Sequence, residues 1–241
     1  MSQLCIHHHQ GLGDHMDCNG LVRYILEKGS YDKVHVFSKS NYYDMIEYMY
    51  RDNESIVVAK IDKNGNEIEQ AIEYYKNSSC TEFVRIGFEN YPTNNKENKN
   101  CWEFFYEQVG VPCEIRAEYF YIERDPKEET RLINKLNPTG AHFAFIHDDP
   151  ARGYEIDRKH ILDKELLVVE NDITENIFTF IGLLETAEER HCMESSMKSL
   201  MDLYSGTEKM YFHNFRNHPL GTKSNKNWKV INYSKHARCD Y

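Results

Sequence analysis

Apolar and polar positions change rhythm several times along the chain. Residues 3–8 (QLCIHH) read as a short strand that runs into a glycine turn. Residues 15–28 then place Met16, Leu21, Val22, Ile25 and Leu26 close to helical spacing. The runs KVHVFS (33–38), SIVVAKI (55–61) and EFVRIGF (82–88) are apolar enough for buried strands. Between them NYYDMIEYMYR (41–51) and EIEQAIEYYKN (67–77) carry helical periodicity, as does CWEFFYEQVGV (101–111), which ends near Pro112. A polar loop, ENYPTNNKENKN (89–100), separates the fourth strand from that helix.

The pattern restarts after residue 124. Residues 125–137 predict a helix with Pro126 in its first turn, and 142–149 a strand that empties into a polar turn. Residues 165–170 predict a strand, and 172–189 a long helix with Thr174 as its N-cap. Residues 190–194 read as a strand, 195–205 as a helix, and 209–214 and 228–233 as closing strands. Strands alternating with helices predict an α/β fold with parallel sheets covered by helices. The restart predicts two such arrays, residues 1–115 and 116–241, joined through a stretch around 112–124 that reads as extended.

Composition narrows the function. With 29 basic and 39 acidic side chains the net charge is −10, which argues against a general nucleic-acid binder. The seven cysteines are irregularly spaced without a C-x-x-C pair, so a reducing compartment fits better than a disulfide framework. No apolar run reaches the length of a membrane-spanning helix, and no signal-peptide pattern opens the chain. The expectation is a cytoplasmic protein, in a bacterium or in the cytosol of a virus-infected host.

The chemistry concentrates first at Gly11-Leu12-Gly13-Asp14, between a strand and a helix. Glycines there permit positive φ and close approach of a ligand to the backbone. A helix start favours anions or polar substrate groups. The third glycine of the dinucleotide pattern is absent, since Asp17 holds that position, and Asp14 would repel a pyrophosphate. The turn therefore suits a carboxylate at the carboxyl edge of a parallel sheet, where α/β folds place their sites. Asp14 as a plain helix cap is the competing reading.

The stretch HQGLGDHMDCNGLVRYI resembles the first strand-to-helix turn of glycosyltransferases with two Rossmann-like domains, the GT-B architecture. The heptosyltransferases are the family it is most similar to. That resemblance implies two Rossmann-like domains whose sheets face a central cleft, with an amino-terminal acceptor domain and a carboxyl-terminal nucleotide-sugar domain. It implies that Asp14 acts as the base toward the acceptor hydroxyl. Asn19 and Arg23 depart from the apolar and proline positions usual in that family, so the acceptor does not carry over.

His7, His8 and His9 alternate faces on a strand, so one metal ion does not readily collect all three, and structural or rim roles are expected. His15, next to Asp14, is the better candidate to touch substrate. In the second half, FIHDDPARGYEIDR (145–158) supplies His147, Asp148, Asp149 and Arg152 after a strand. HCMESSMKSL (191–200) supplies Glu194, Ser195 and Ser196 at a helix start. The resemblance implies that Glu194 binds ribose hydroxyls and that Ser195 and Ser196 bind diphosphate oxygens. Arg152 would neutralise the diphosphate, and Gly13, His147 and Asp149 complete the donor set. An ordinary N-cap remains open for the serines, and an ion pair with Asp148, Asp149 or Asp157 for the arginine. Asn19, His213 and Arg216 are possible substrate contacts. Asn214 and Lys223 lie in the same basic, aromatic stretch, residues 209–231, which equally reads as a surface loop.

The expected reaction is inverting, metal-independent transfer from a nucleoside-diphosphate sugar to a hydroxyl of a glycan or glycoconjugate. No cofactor is expected beyond that co-substrate, and UDP- and GDP-linked donors are not distinguished. A metal-dependent transferase using Asp148 and Asp149 stays open, although adjacent aspartates chelate one ion less readily than Asp-x-Asp. So does a non-catalytic sugar- or nucleotide-binding protein. A nicotinamide-dependent oxidoreductase is disfavoured by the missing glycine and by the lack of a ribose-binding acid after KVHVFS.

Overall fold

The computed structural model describes residues 2–87, 99–204, 206, 208–216 and 226–233. The chain divides between Glu123 and Arg124 into two compact units, where the sequence reading drew the line after residue 115.

In the first unit β1 (Gln3–His7), β2 (Lys33–Lys39), β3 (Ile56–Ile61) and β4 (Glu82–Arg85) form a parallel sheet in the order β3-β2-β1-β4. The helices are α1 (Leu12–Lys28), α2 (Tyr43–Tyr50), α3 (Glu67–Asn77), α4 (Cys101–Gln108) and α5 (Ile115–Glu118). β1 is central, and Leu4, Cys5, Ile6 and His7 are all buried, as a strand covered on both faces requires. The strand order reverses between β1 and β4, so the loops after those strands flank a topological switch point.

Within the stretch around 112–124, expected to be extended, the four residues Ile115–Glu118 form α5, which packs on α1. Arg116 is buried and donates from Nε and Nη2 to Asp17 Oδ1 at 3.0 and 2.7 Å. Its guanidinium lies 4.5 Å from the Trp102 ring centroid, and Tyr106 Oη donates to the Asp17 carbonyl at 2.9 Å. Gly20 lets the two helices meet: a Cβ there would sit 2.6 Å from the Ile115 carbonyl oxygen and 2.8 Å from that of Arg116. A buried ion pair and a glycine contact thus override a weak local preference.

In the second unit β5 (Phe143–His147), β6 (Leu167–Glu170), β7 (Glu189–Met193), β8 (Met210–Asn214) and β9 (Trp228–Asn232) form a second sheet. All its pairings are parallel, in the order β6-β5-β7-β8-β9. α6 (Pro126–Leu136), α7 (Ile181–Thr186) and α8 (Ser196–Tyr204) accompany it. Here the order reverses between β5 and β7, which makes the second switch point.

The helix expected over 172–189 is shorter. Asp172 accepts from Thr174 N and Oγ1 at 2.9 and 2.6 Å, and Asn176 accepts from Phe178 N at 3.0 Å. These local side-chain bonds compete with helix formation, so a 3₁₀ turn at Ile177–Phe180 leads into α7 and Asn176, not Thr174, is the cap. β7 also begins at Glu189, inside the span expected to be helical.

Candidate functional site: the carboxyl edges of the two sheets

The expected positive φ in the glycine turn is not observed. Gly11 is the N-cap of α1 with φ −75° and ψ 148°, and Gly13 lies in the helix. Gly11 serves a different need: a Cβ there would meet Asp14 Oδ2 at 2.6 Å. Asp14 is the third residue of α1, and its carboxylate accepts from the Gly11 N–H, as the acid of a capping box does. The cap reading of Asp14 therefore holds, and it does not exhaust the residue. Burial first, then the Asp17 carboxylate, push its pKa up to about 7, against the opposing pull of the Gly11 N–H and Lys39. A partly buried carboxyl group that titrates near neutrality stands at the first switch point.

The histidines around it are structural. His7 is buried between Phe37 and Phe83, with ring centroids 5.9 and 6.3 Å away. His8 Nδ1 donates to the His9 carbonyl at 2.6 Å, and His9 Nε2 donates to the Gly87 carbonyl at 2.9 Å. Gly87 has φ 89°, and a Cβ on it would lie 2.6 Å from the Phe105 ring, so glycine is required there. His15, expected to touch substrate, is fully buried, with its ring edge-to-face on His8 at 4.6 Å. Helical spacing turns His15 inward while Asp14 stays at the helix start. Asn19 is likewise fully buried, and its Oδ1 accepts from Arg23 Nε at 3.2 Å and Tyr121 N at 3.1 Å. It ties α1 to the segment after α5 and is not available to a ligand.

In the second unit His147 pairs in register with Cys192, and Met193 with His213, which aligns the carboxyl ends of β5, β7 and β8. His147 is partly exposed, and its Nδ1 is shielded without a hydrogen-bond partner. Burial pushes its pKa down to about 4 despite Asp148 and Asp149. Asp148 is buried and accepts from Ile156 N at 3.0 Å, with Arg158 Nη1 at 3.6 Å. Asp149 accepts from Arg152 N at 3.2 Å and pairs with Arg152 Nε at 2.5 Å. The two aspartates therefore turn to different partners. Among the described residues no group of three or more His, Cys, Asp or Glu side chains is arranged to hold a metal ion.

Arg152 is exposed and close to the Tyr154 ring at 5.7 Å, so the ion pair with Asp149 orients it without burying it. Glu194 follows β7 and faces Arg216 Nη1 at 4.0 Å. Ser195 Oγ donates to the Met193 carbonyl at 3.3 Å, and the Ser195 carbonyl accepts from Lys198 N at 3.1 Å. The Ser195 hydroxyl thus braces the turn, while Ser196 opens α8 at the second switch point. His213, expected as a possible substrate contact, is fully buried, with both ring nitrogens hydrogen-bonded. Asn214 is partly exposed at the end of β8, and Lys223 lies outside the described residues.

Sequence reasoning missed Arg116, which pairs with Asp17 in the first unit, and Glu189, His191 and Tyr233, which join His213 in one hydrogen-bonded chain in the second. A signal lay in His191 and His213, on the neighbouring strands β7 and β8 of the parallel sheet.

Two α/β units, each with a parallel sheet and a polar switch point, define a GT-B-like fold. No protein-family model matches the sequence, and no curated protein matches it. Solved structures do. A glycosyl transferase family 9 protein from Veillonella parvula aligns with TM-score 0.61 at 9% identity, over 97% of this chain and 89% of that one. The ADP-heptose lps heptosyltransferase II of E. coli aligns with TM-score 0.57 at 10% identity, over 96% and 90%. The iron-containing dodecameric glycosyltransferase TibC of enterotoxigenic E. coli aligns with TM-score 0.58 at 11% identity, over 96% of this chain and 62% of that one. At these identities the likeness is one of fold. No described helix is long and apolar enough to cross a membrane.

Proposed function

We propose that the protein is a glycosyltransferase that moves a sugar from a nucleoside-diphosphate donor to an acceptor hydroxyl. The observation that carries the reading is Asp14, a carboxyl group at the first switch point whose pKa is pushed up to about 7. That value suits a general base working near neutrality. The fold likeness to glycosyltransferases supports the reaction class.

In this reading the second unit takes the donor. Glu194 accepts from ribose hydroxyls, and the start of α8 at Ser196 presents backbone N–H groups to the diphosphate. Arg152 and Arg216, both exposed, meet the charge that grows on the departing diphosphate. Asp149 holds Arg152 in place. Asp14 takes the acceptor proton as that oxygen bonds to the anomeric carbon and the bond to the diphosphate breaks, with inversion. The residues supply positioning and charge stabilisation, and no metal ion is invoked.

A thermal-shift panel of UDP, GDP, ADP, CMP and NAD, followed by transfer assays with the matching sugar donors, tests the reading. A nucleoside diphosphate should stabilise the protein, and Asp14→Asn should abolish transfer while leaving donor affinity within about threefold. Full turnover by Asp14→Asn removes the base, and stabilisation by NAD alone removes the reaction class.

A further inference from the structure

Beneath the edge of the second sheet runs a buried chain of four hydrogen-bonded side chains. Glu189 Oε2 lies 3.2 Å from His191 Nε2, His191 Nδ1 lies 3.0 Å from His213 Nε2, and His213 Nδ1 lies 2.7 Å from Tyr233 Oη. Glu189, His191 and His213 are at most 1% exposed. Both ends of the chain hold the same covering segment. Glu189 accepts from Leu162 N at 2.9 Å and Asp163 N at 3.1 Å, and the Tyr233 oxygen accepts from the Asp157 backbone N–H. That segment buries Ile156 and Ile161 against Ala144 and Ile146 of β5.

With both rings neutral, the donors and acceptors permit one arrangement. An ionised carboxylate only accepts, so His191 donates from Nε2 and must accept at Nδ1. His213 then donates from Nε2 and accepts at Nδ1, where the Tyr233 hydroxyl donates. Every proton points toward Glu189. The phenol oxygen has two in-plane positions, one for its own hydrogen and one for the Asp157 N–H. If His213 gains a proton at Nδ1, two N–H groups aim at the phenol oxygen and its hydrogen has no acceptor.

We propose that the Glu189–His191–His213–Tyr233 chain is an acid-released latch on the segment 154–163, and that it opens at Asp157 first. The segment follows directly on the turn that carries Arg152, yet the latch concerns the segment itself and stands whether or not that edge binds a nucleotide. The groups facing the histidines favour neutral rings. Arg158 and His160 on the covering segment and the second histidine on the adjacent strand repel added charge, and Glu189 alone attracts it at the far end. Asp148 and Asp157 face Tyr233, and Lys229 lies over Tyr211, whose ring stacks on His191 at 4.4 Å. Burial first, then His191, His160 and Arg158, push His213 down to about 3, and burial also lowers His191. The hydrogen bonds from Leu162 N, Asp163 N and His191 outweigh burial at Glu189, so it stays ionised as the pH falls.

The intact chain tests this by two NMR measurements. Long-range ¹⁵N–¹H correlation at about pH 7.5 should show both imidazoles protonated at Nε2 only. An Nδ1–H tautomer or an imidazolium at either ring overturns the latch. Amide exchange, corrected for intrinsic rates, should then rise about 30-fold at Asp157 between about pH 7.5 and pH 5, because a ring freed to an ordinary pKa near 6.5 takes up a proton. Leu162 and Asp163, held by Glu189, should change by about threefold or less over the same range. Equal protection of Asp157 at both pH values overturns the proposal, and so does parallel loss at all three amides. Tyr233→Phe should leave Asp157 fast at both pH values while Leu162 and Asp163 stay protected. Should that variant not fold, the tautomers and the three amides of the unchanged chain still decide.

Discussion

The ion pair between Asp17 and Arg116 offers the sharpest test of how α1 is fixed. Both side chains are nearly dry, at 7% and 6% exposure, and Arg116 makes two contacts to one carboxylate oxygen at 2.7 and 3.0 Å. Arg116→Met removes the cation facing Asp17 but keeps most of the buried volume. A carboxylate left in that position costs about 3–5 kcal/mol. Loss of the guanidinium contact with Trp102 adds about 1 kcal/mol. Asp17→Asn in the same chain removes the stranded charge, so the double variant should recover to within about 2 kcal/mol of the parent. The two tryptophans, Trp102 and Trp228, fall one in each unit, so Trp228→Phe leaves a fluorescence reporter in the first unit alone. With a urea m-value of about 2 kcal/mol/M, the single change should lower the midpoint by about 2–3 M. A shift below about 0.5 M, or a double variant no more stable than Arg116→Met, would show that the pair does not hold α5 against α1.

The raised pKa of Asp14 has a definite sign: the folded unit binds a proton more tightly than the unfolded chain, so this group's contribution to stability is lost as pH rises from about 4 through 7. Asp14→Asn should therefore raise the thermal midpoint at pH 8 and change it little at pH 5; the reverse ordering refutes the shift. Transfer by the parent enzyme should climb with pH along a single-proton limb centred near 7. Gly20→Ala should destabilise the first unit by about 1–3 kcal/mol despite a better helix propensity, because two backbone carbonyls occupy the space; a stabilised variant in chemical denaturation would contradict that packing. Arg152→Ala should weaken nucleoside-diphosphate binding about 10- to 100-fold by calorimetry, and unchanged affinity would place the arginine away from the donor.

The sequence carried the alternation of strands and helices because β1, β2 and β5 are buried, largely apolar runs and α3 has clear periodicity from Glu67 to Asn77. Two arrays, parallel sheets and the position of Asp14 at a helix start followed from that rhythm. What it hid were interactions between residues distant along the chain. Ile115–Glu118 becomes a helix only because Asp17 and Gly20 wait opposite it, 99 positions away in the case of Arg116 and Asp17. The helix expected from residue 172 fails at Asp172, Thr174 and Asn176, whose short polar side chains bond locally. His15 and His213 look exposed in a polar sequence context, yet helix phase and strand register turn both inward. Polar residues in a fold like this one are as often internal ties as they are ligands, and their phase decides which.

The run of histidines at the end of β1 has a quiet consequence for anyone titrating this edge. Burial is the largest cause at His7, His8, His9 and His15, and it holds all four imidazoles below their ordinary pKa. His7, His8 and His15 therefore sit neutral in the range where cells live, and His9 is shifted in the same direction. The group at this edge whose titration is drawn toward neutrality is instead a carboxylic acid, Asp14, pushed up to about 7 by burial first and then by the Asp17 carboxylate.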